Sequence, residues 1–486
     1  MLPPEAVLAP ALLAAAGLRL LPKRPRRLAS AAAAWVQLAL ASWLAWEVTT
    51  GGPVRGASSY FAADALSAWL TLATAVVGAG VATYSVPFMD LHEKHGDFAR
   101  GLLPWYEPLL HASMAMLLLT LLTSNMGVVW IGLEATTILT AFLVGFYREE
   151  ASVEAAWKYI LLGSVGITLG FFGTVLLYYS SVQAFGFTET GLDWAALQAN
   201  APLLDPTLLK LAFVFVLIGY GTKAGLAPMH TWLPDAHSQA PSPISALLSA
   251  MFLNVAFYGL LRFHGITSAA VPGFSGTLLL AFGLFSVLIA APFIVAQRDY
   301  KRLFAYSSVE HMGIAAVGFG IGAPLATFGA LLHMFNHAVV KAGLFFTAGN
   351  LSLAFGTRRI EAIEGTASKL PATTAGLVLG AAAAAGAPPF APFISEFLIL
   401  SAAVQTGQVA VAAVLVVLLV VIFGGFLAHV LGMSHGPPRG DPREPSRAAS
   451  ALILGLVALA LVLGLWVPEG FRSLVAAAAG TLGAAP

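Results

Sequence analysis

Gly219-Tyr220-Gly221-Thr222-Lys223-Ala224-Gly225-Leu226-Ala227-Pro228-Met229-His230-Thr231-Trp232-Leu233-Pro234-Asp235-Ala236-His237 combines two signals. It closes an apolar run that begins near residue 207, and it sets a lysine against glycine and proline where that run ends. Glycine and proline inside a membrane span free backbone carbonyls, which hydrocarbon tolerates mainly where protein or water satisfies them. An ionisable side chain there is costly unless it is paired or hydrated, so it is a functional candidate by default. The stretch therefore predicts a broken membrane helix built around a buried charge.

The rest of the chain supports that reading. Of 486 residues, 58% are hydrophobic and 10% charged, and the mean hydropathy is +0.84. Soluble domains carry about 25% charged residues, so the fold class is an all-α polytopic membrane protein. A formal net charge of +1 gives no field for nucleic acid. The absence of cysteine removes disulfides, cysteine-ligated iron–sulfur clusters and thiol nucleophiles. No cofactor and no metal is expected, and no redox centre of its own. Met1 to Leu21 lacks a basic n-region and a cleavage site, and reads as a retained first helix.

A bilayer core of about 30 Å needs roughly 20 apolar residues per helix. About fourteen such spans are expected, near 5–21, 28–48, 62–86, 108–124, 126–146, 155–179, 207–225, 241–263, 274–296, 302–321, 324–349, 371–401, 408–432 and 449–468. Basic residues test the count, because they concentrate in cytoplasmic loops. One set of loops holds sixteen: Lys23, Arg24, Arg26, Arg27, Lys94, Arg100, Arg148, Arg298, Lys301, Arg302, Arg358, Arg359, Lys369, Arg439, Arg443 and Arg447. The other side holds four, Arg55, Lys210, Arg262 and Arg472. A wrong count would scramble that contrast, so both termini are expected outside the cytoplasm. Lys301 and Arg302 read most simply as anchors at the inner face.

The charges inside the spans singled out as functional candidates are few: Glu134, Lys223, Lys341 and Glu396, with His333 and His337 sharing the span of Lys341. His333, His337 and Lys341 are spaced i, i+4, i+8 and so project from one helical face. Such a stripe suits a file of water with titratable groups one helical turn apart, since histidine changes charge near neutral pH. A lysine in low dielectric, with a carboxylate that approaches or withdraws, is a gated proton store. A second interrupted span reads Gly386-Ala387-Pro388-Pro389-Phe390-Ala391-Pro392, just before Glu396. Helix breaks are thus expected at Pro228, Pro234, Pro388, Pro389 and Pro392. Paired interrupted segments point to inverted repeats and a site at mid-membrane.

The run from Lys223 to His237 resembles the signature of the antiporter-like subunits of respiratory complex I, Mrp-type antiporters and group 4 membrane hydrogenases. Tyr306-Ser307-Ser308-Val309-Glu310-His311-Met312-Gly313 is most similar to hydrogenase-4 component F. The likeness extends over nearly the whole chain, with Glu134 on the fifth helix, Lys223 on the seventh, the histidine–lysine stripe on the eleventh and Glu396 on the twelfth. It implies two inverted five-helix repeats, residues 108–263 (helices 4–8) and 274–432 (helices 9–13), with the seventh and twelfth helices discontinuous. It also implies a proton pathway. Glu134 and Lys223 would form an ion pair, Lys341 the central relay, His237, His333 and His337 the bridges, and Glu396 the end towards the outer side. Glu310 and His311 are secondary candidates. So is Asn254, which stands where some relatives carry a lysine. The implied partners are further antiporter-like chains, other membrane subunits and a hydrogenase-like or quinone-reducing arm with iron–sulfur clusters. The implied location is the bacterial cytoplasmic membrane. A Na⁺/H⁺ antiporter subunit, or an ion-coupled subunit of a carbon-uptake complex, is the alternative. No cluster of extra acidic residues favours sodium.

Overall fold

A computed structural model describes residues 2–96, 98 and 101–483; Arg100, counted above with the basic loops, lies outside them. The chain opens with α1 (Ala9–Gly17), extended by 3-10 turns over Pro4–Leu8 and Leu18–Leu20. The steeper rise of those turns lets this short segment reach roughly 30 Å. There follow α2 (Lys23–Gly51), α3 (Ala65–His95), α4 (Tyr106–Leu122), α5 (Met126–Val144) and α6 (Glu150–Phe185). α7 comes in two limbs, Pro206–Ala224 and Trp232–Gln239, and α8 covers Ser242–Ala270. Then come α9 (Phe274–Val295), α10 (Tyr300–Ile321) and α11 (Pro324–Phe355). α12 again has two limbs, Pro371–Ala384 and Ala391–Gln405. α13 (Val409–Ser434), α14 (Arg447–Leu465) and α15 (Glu469–Thr481) complete the chain.

Among the described residues, eleven helices are long and apolar enough to cross a bilayer unaided: α2 to α9, α11, α13 and α14. The other three expected spans fall short for physical reasons. α1 is short, α10 carries Lys301, Arg302 and Glu310, and α12 is interrupted. The protein is a multi-span membrane protein. Its described strands, Val54–Arg55 and Ala62–Ala63, form one small hairpin.

The two sets of loops lie on opposite faces. On the basic face, Ile360 and Tyr300 bond to the backbone of Arg298 and Arg358, Arg439 pairs with Glu364 at 3.1 Å, and Lys369 pairs with Asp441 at 2.8 Å. The hydrogen bonds from Lys369 and Arg443 hold the Asp441 carboxyl below the usual carboxylate range. On the opposite face, Ser124 bonds to Tyr60, Met126 to Leu192 and Gln198 to Thr481.

Lipids are as apolar as leucine, so packing and polar contacts rather than water exclusion hold such helices together. α8 lies at the centre: every residue from Pro241 to Thr267 is buried. α2, α6 and α13 form the rim and expose Trp35, Trp43, Phe172, Val417 and Val420. At the opposite face, Arg262 of α8 makes a buried bidentate pair with Asp64, the N-cap of α3, at 2.6 and 2.7 Å. Its guanidinium lies 3.7 Å from the Trp194 ring. α15 was not anticipated. It folds back with Leu474, Val475 and Ala478 buried, and its flank sets Phe471 edge-on to Trp69 at 4.5 Å.

Both expected breaks exist, though not at every proline. The first runs from Gly225, which closes the first limb of α7 at φ +78°, through Pro228 to Thr231. Pro234 lies inside the first turn of the second limb. The second break covers Ala385 to Phe390 and holds Pro388 and Pro389, whereas Pro392 sits in the first turn of the resumed helix. The missing N–H of proline costs nothing in a first turn, so Pro234 and Pro392 start helices rather than stop them.

Candidate functional site

Two buried polar centres follow from the breaks. In the first, Lys223 stands on the last turn of the first α7 limb with 1% of its surface exposed. Its ammonium donates to the Leu133 carbonyl and, at 3.2 Å, to Thr136 Oγ1, and lies 4.5 Å from the face of the Phe252 ring. Glu134 is half-buried and accepts from Ser164 Oγ of α6 at 3.0 Å, while its Oε2 has no protein partner. The direct Glu134–Lys223 ion pair implied by the resemblance is therefore not formed. The physical reason is local: the carbonyl of the residue next to Glu134, a hydroxyl and an aromatic face already hold the ammonium, and the carboxylate turns towards α6. The two remain charged neighbours.

The link to the second centre is a π turn over Leu248–Phe252 in α8. Single π turns recur at functional sites because they release a backbone group from the helical ladder. Phe252 covers Lys223, and the Ser249 carbonyl on the same turn meets His337 Nε2 at 3.1 Å. Ser249 Oγ also bonds Ser308 of α10 at 2.7 Å. One turn on, Asn254 of α8 donates to the Met334 carbonyl of α11 at 2.9 Å and keeps an unpartnered Oδ1.

The second centre gathers α10, α11 and α12. His333, His337 and Lys341 are all fully buried, on one face of α11. His333 Nε2 bonds His311 Nδ1 at 2.8 Å, and His333 Nδ1 bonds Ser395 Oγ at 3.0 Å. The His311 ring centre is 5.0 Å from that of His337. Asn336 ties the start of the second α12 limb to α11 by donating to the Ala391 carbonyl at 2.8 Å. Lys341 donates to the Phe304 carbonyl at 3.2 Å and has Glu310 as its charged neighbour. Glu310 accepts from Ser307 at 3.1 Å. Glu396, on the next turn after the second break, is 5% exposed, with Oε1 unpartnered and Oε2 seated over Gly386. His237 stacks on Phe345 with ring centres 5.0 Å apart; both its ring nitrogens are buried without a protein partner.

Every expected pathway residue thus falls in one of the two centres or between them. The secondary candidates Glu310 and His311 move to the middle: α10 supplies both the acid beside Lys341 and the histidine between His333 and His337. Ser249, Ser395, Asn336 and Thr136 were missed, because serine, threonine and asparagine inside membrane helices usually bond within their own helix or glue two helices together. Ser395, directly before Glu396, was the one with a signal.

Among the described residues, His311, His333 and Glu396 are the group with ligand-type atoms close enough to hold a cation, all within 4.8 Å of one another. His311 and His333 already spend facing lone pair and proton on each other at 2.8 Å. Chemically the set is a buried cluster of titratable groups in which His311, His333 and Ser395 are joined by hydrogen bonds, with His337 and Glu396 beside them.

Residues 123–422 match the family described as NADH:quinone oxidoreductase/Mrp antiporter, transmembrane. The chain belongs to that family. This antiporter-like membrane subunit is 41% identical over 411 residues to a hydrogenase-4 component F homolog of Methylacidiphilum infernorum, covering 84% of this chain and 86% of the relative. It is 32% identical over 356 residues to NADH-quinone oxidoreductase subunit N of Desulforudis audaxviator, covering 73% and 68%. Its fold is that of a chain in the membrane-bound sulfane sulfur reductase, an archaeal respiratory membrane complex, with a TM-score of 0.87 at 24% identity over 99% of this chain and 97% of that one. Both the antiporter-like family and the likeness to hydrogenase-4 component F were legible in the motifs quoted above.

Proposed function

We propose that this antiporter-like subunit conducts protons through its buried glutamate, lysine and histidine groups within a multi-subunit, redox-driven membrane complex of the membrane-hydrogenase or complex I kind. The observation that carries the reading is the buried cluster on α10, α11 and α12, in which His311 is hydrogen-bonded to His333 and His333 to Ser395, with the His337 ring centre 5.0 Å from that of His311. Glu134 and Lys223 load this path from the first half of the chain, residues 108–263. The π turn of α8 hands the charge change to the second half, residues 274–432. Lys341, with His237, relays it, and Glu396 passes it towards the opposite face. A file of water between unpartnered groups such as Glu134 Oε2, His237 and Glu396 Oε1 completes the path.

The basic face is assigned to the cytoplasm of a bacterium and the termini to the other side. Its partners are further antiporter-like chains, other membrane subunits and a peripheral arm with iron–sulfur clusters, which this cysteine-free chain cannot itself ligate through thiolates. Cation/proton exchange is the second reading, supported by the Mrp antiporter in the description of the matching family.

Two experiments test this. Lys223→Ala and Lys341→Ala should each abolish coupled proton uptake in vesicles while the complex still assembles; wild-type uptake in both variants sinks the relay. A mild-detergent pull-down of the tagged chain, read by mass spectrometry, should bring down iron–sulfur and hydrogenase-like subunits. Small antiporter subunits without a redox protein would move the function to cation exchange.

A further inference from the structure

On the basic face, a polar cavity of about 240 Å³ opens between α3, the second limb of α7, α10 and α11, lined by His92, Gln239, Lys301, Ser352, Thr357 and Arg358. Lys301 is unlike an anchor. Anchoring lysines extend their ammonium into water, whereas only 4% of this residue is exposed and its Nζ turns inward to the Ala240 carbonyl at 2.6 Å. The anchoring contacts are made by its neighbours instead: Arg302 pairs with Asp235, and Arg358 binds the Ser238 carbonyl and Gln239. Ala240 ends the short limb that carries His237, whose two ring nitrogens are buried and unpartnered. Lys301 and Lys341 are both charged neighbours of His237. The Phe304 carbonyl that holds Lys341 lies one turn along α10 from Lys301.

We infer that this cavity is a proton inlet on the basic face, and that Lys301 is the proton-carrying side chain that joins its water to His237 and Lys341. The inference rests on the relay proposed above and adds its entrance. In the transfer, the Lys301 ammonium gives a proton to a ring nitrogen of neutral His237, which then protonates the Lys341 amine. The Lys301 amine left behind takes a proton back from water in the cavity. Arg358 and Glu149 also border the cavity, and Asp299 sits on the loop before Lys301; these charges stay fixed while Lys301 cycles.

The chain has no cysteine, so an introduced thiol is the only one in this subunit, and the unsubstituted complex treated with each reagent gives the background from thiols of its partners. Lys301→Cys should lower proton uptake at least tenfold in vesicles holding the assembled complex, driven by a potassium diffusion potential. Treatment with 2-aminoethyl methanethiosulfonate rebuilds a titratable amine at nearly lysine length and should restore most of the rate. The trimethylammonium analogue, a permanent cation, should not. An anchor needs only the charge, so equal rescue by both reagents would overturn the inference. Wild-type uptake in Lys301→Cys beside a dead Lys341→Ala would overturn the inlet and leave the relay standing; wild-type uptake in both would remove the relay itself. Should Lys301→Cys fail to assemble, Ser352→Cys serves. A sulfonatoethyl reagent applied to the basic face should then cut uptake at least fivefold, and an unchanged rate refutes the inlet.

Discussion

Gly386→Ala is the sharpest test of the second break. Gly386 has φ +70°, and a Cβ there would lie 2.2 Å from Glu396 Oε2, 3.0 Å from Cδ and 3.2 Å from Oε1. An ordinary carbon–oxygen contact is about 3.3 Å or more, so the carboxylate must move by about 1 Å. Misplacing a reacting group by that much can cost about 10²-fold in rate. The left-handed backbone adds strain of about 1–2 kcal/mol for a residue with a side chain. A control separates the two effects: Gly407, just past the other end of the same limb, has φ +77° and nothing within 4 Å of its would-be Cβ. Gly386→Ala should therefore lose proton uptake by roughly one to two orders of magnitude, and Gly407→Ala should keep it. Both should lose similar, modest stability in a detergent-unfolding titration. Uptake would be followed by dye quenching in vesicles. Full activity in Gly386→Ala, or an equal loss in Gly407→Ala, would refute a role for the seating of Glu396.

Two further outcomes follow from the contacts. Arg262→Ala leaves Asp64 buried without its counter-ion and should cost about 3–5 kcal/mol in the same unfolding titration. Adding Asp64→Ala should recover part of the loss, and strictly additive losses would show that the pair is not coupled. Glu134→Gln keeps an acceptor for Ser164 Oγ and so should preserve the fold while slowing uptake several-fold; an unchanged rate would make the carboxylate structural.

The spans were legible because a helix in hydrocarbon must be long and apolar, and the basic loops marked which ends share a face. The charges inside those spans were legible for the same reason: they are few and expensive. Two misreadings came from treating residues as tokens. Pro234 and Pro392 look like breakers but sit in first turns, where a missing N–H is harmless. Glu134 and Lys223 look like a pair by charge, yet the Leu133 carbonyl and Phe252 ring claim the ammonium.

The sequence by itself thus determined the membrane class, most of the helical segments, the two interruptions and the short set of buried ionisable groups, since each depends on local composition and spacing. Only the tertiary structure decided who meets whom. It brought His311 of α10 between His333 and His337, turned Lys301 inward beneath a cavity, and placed the π turn of α8 between the two centres. Such meetings depend on contacts between helices far apart in the chain, and periodicity within one helix carries no record of the neighbour its polar face will find.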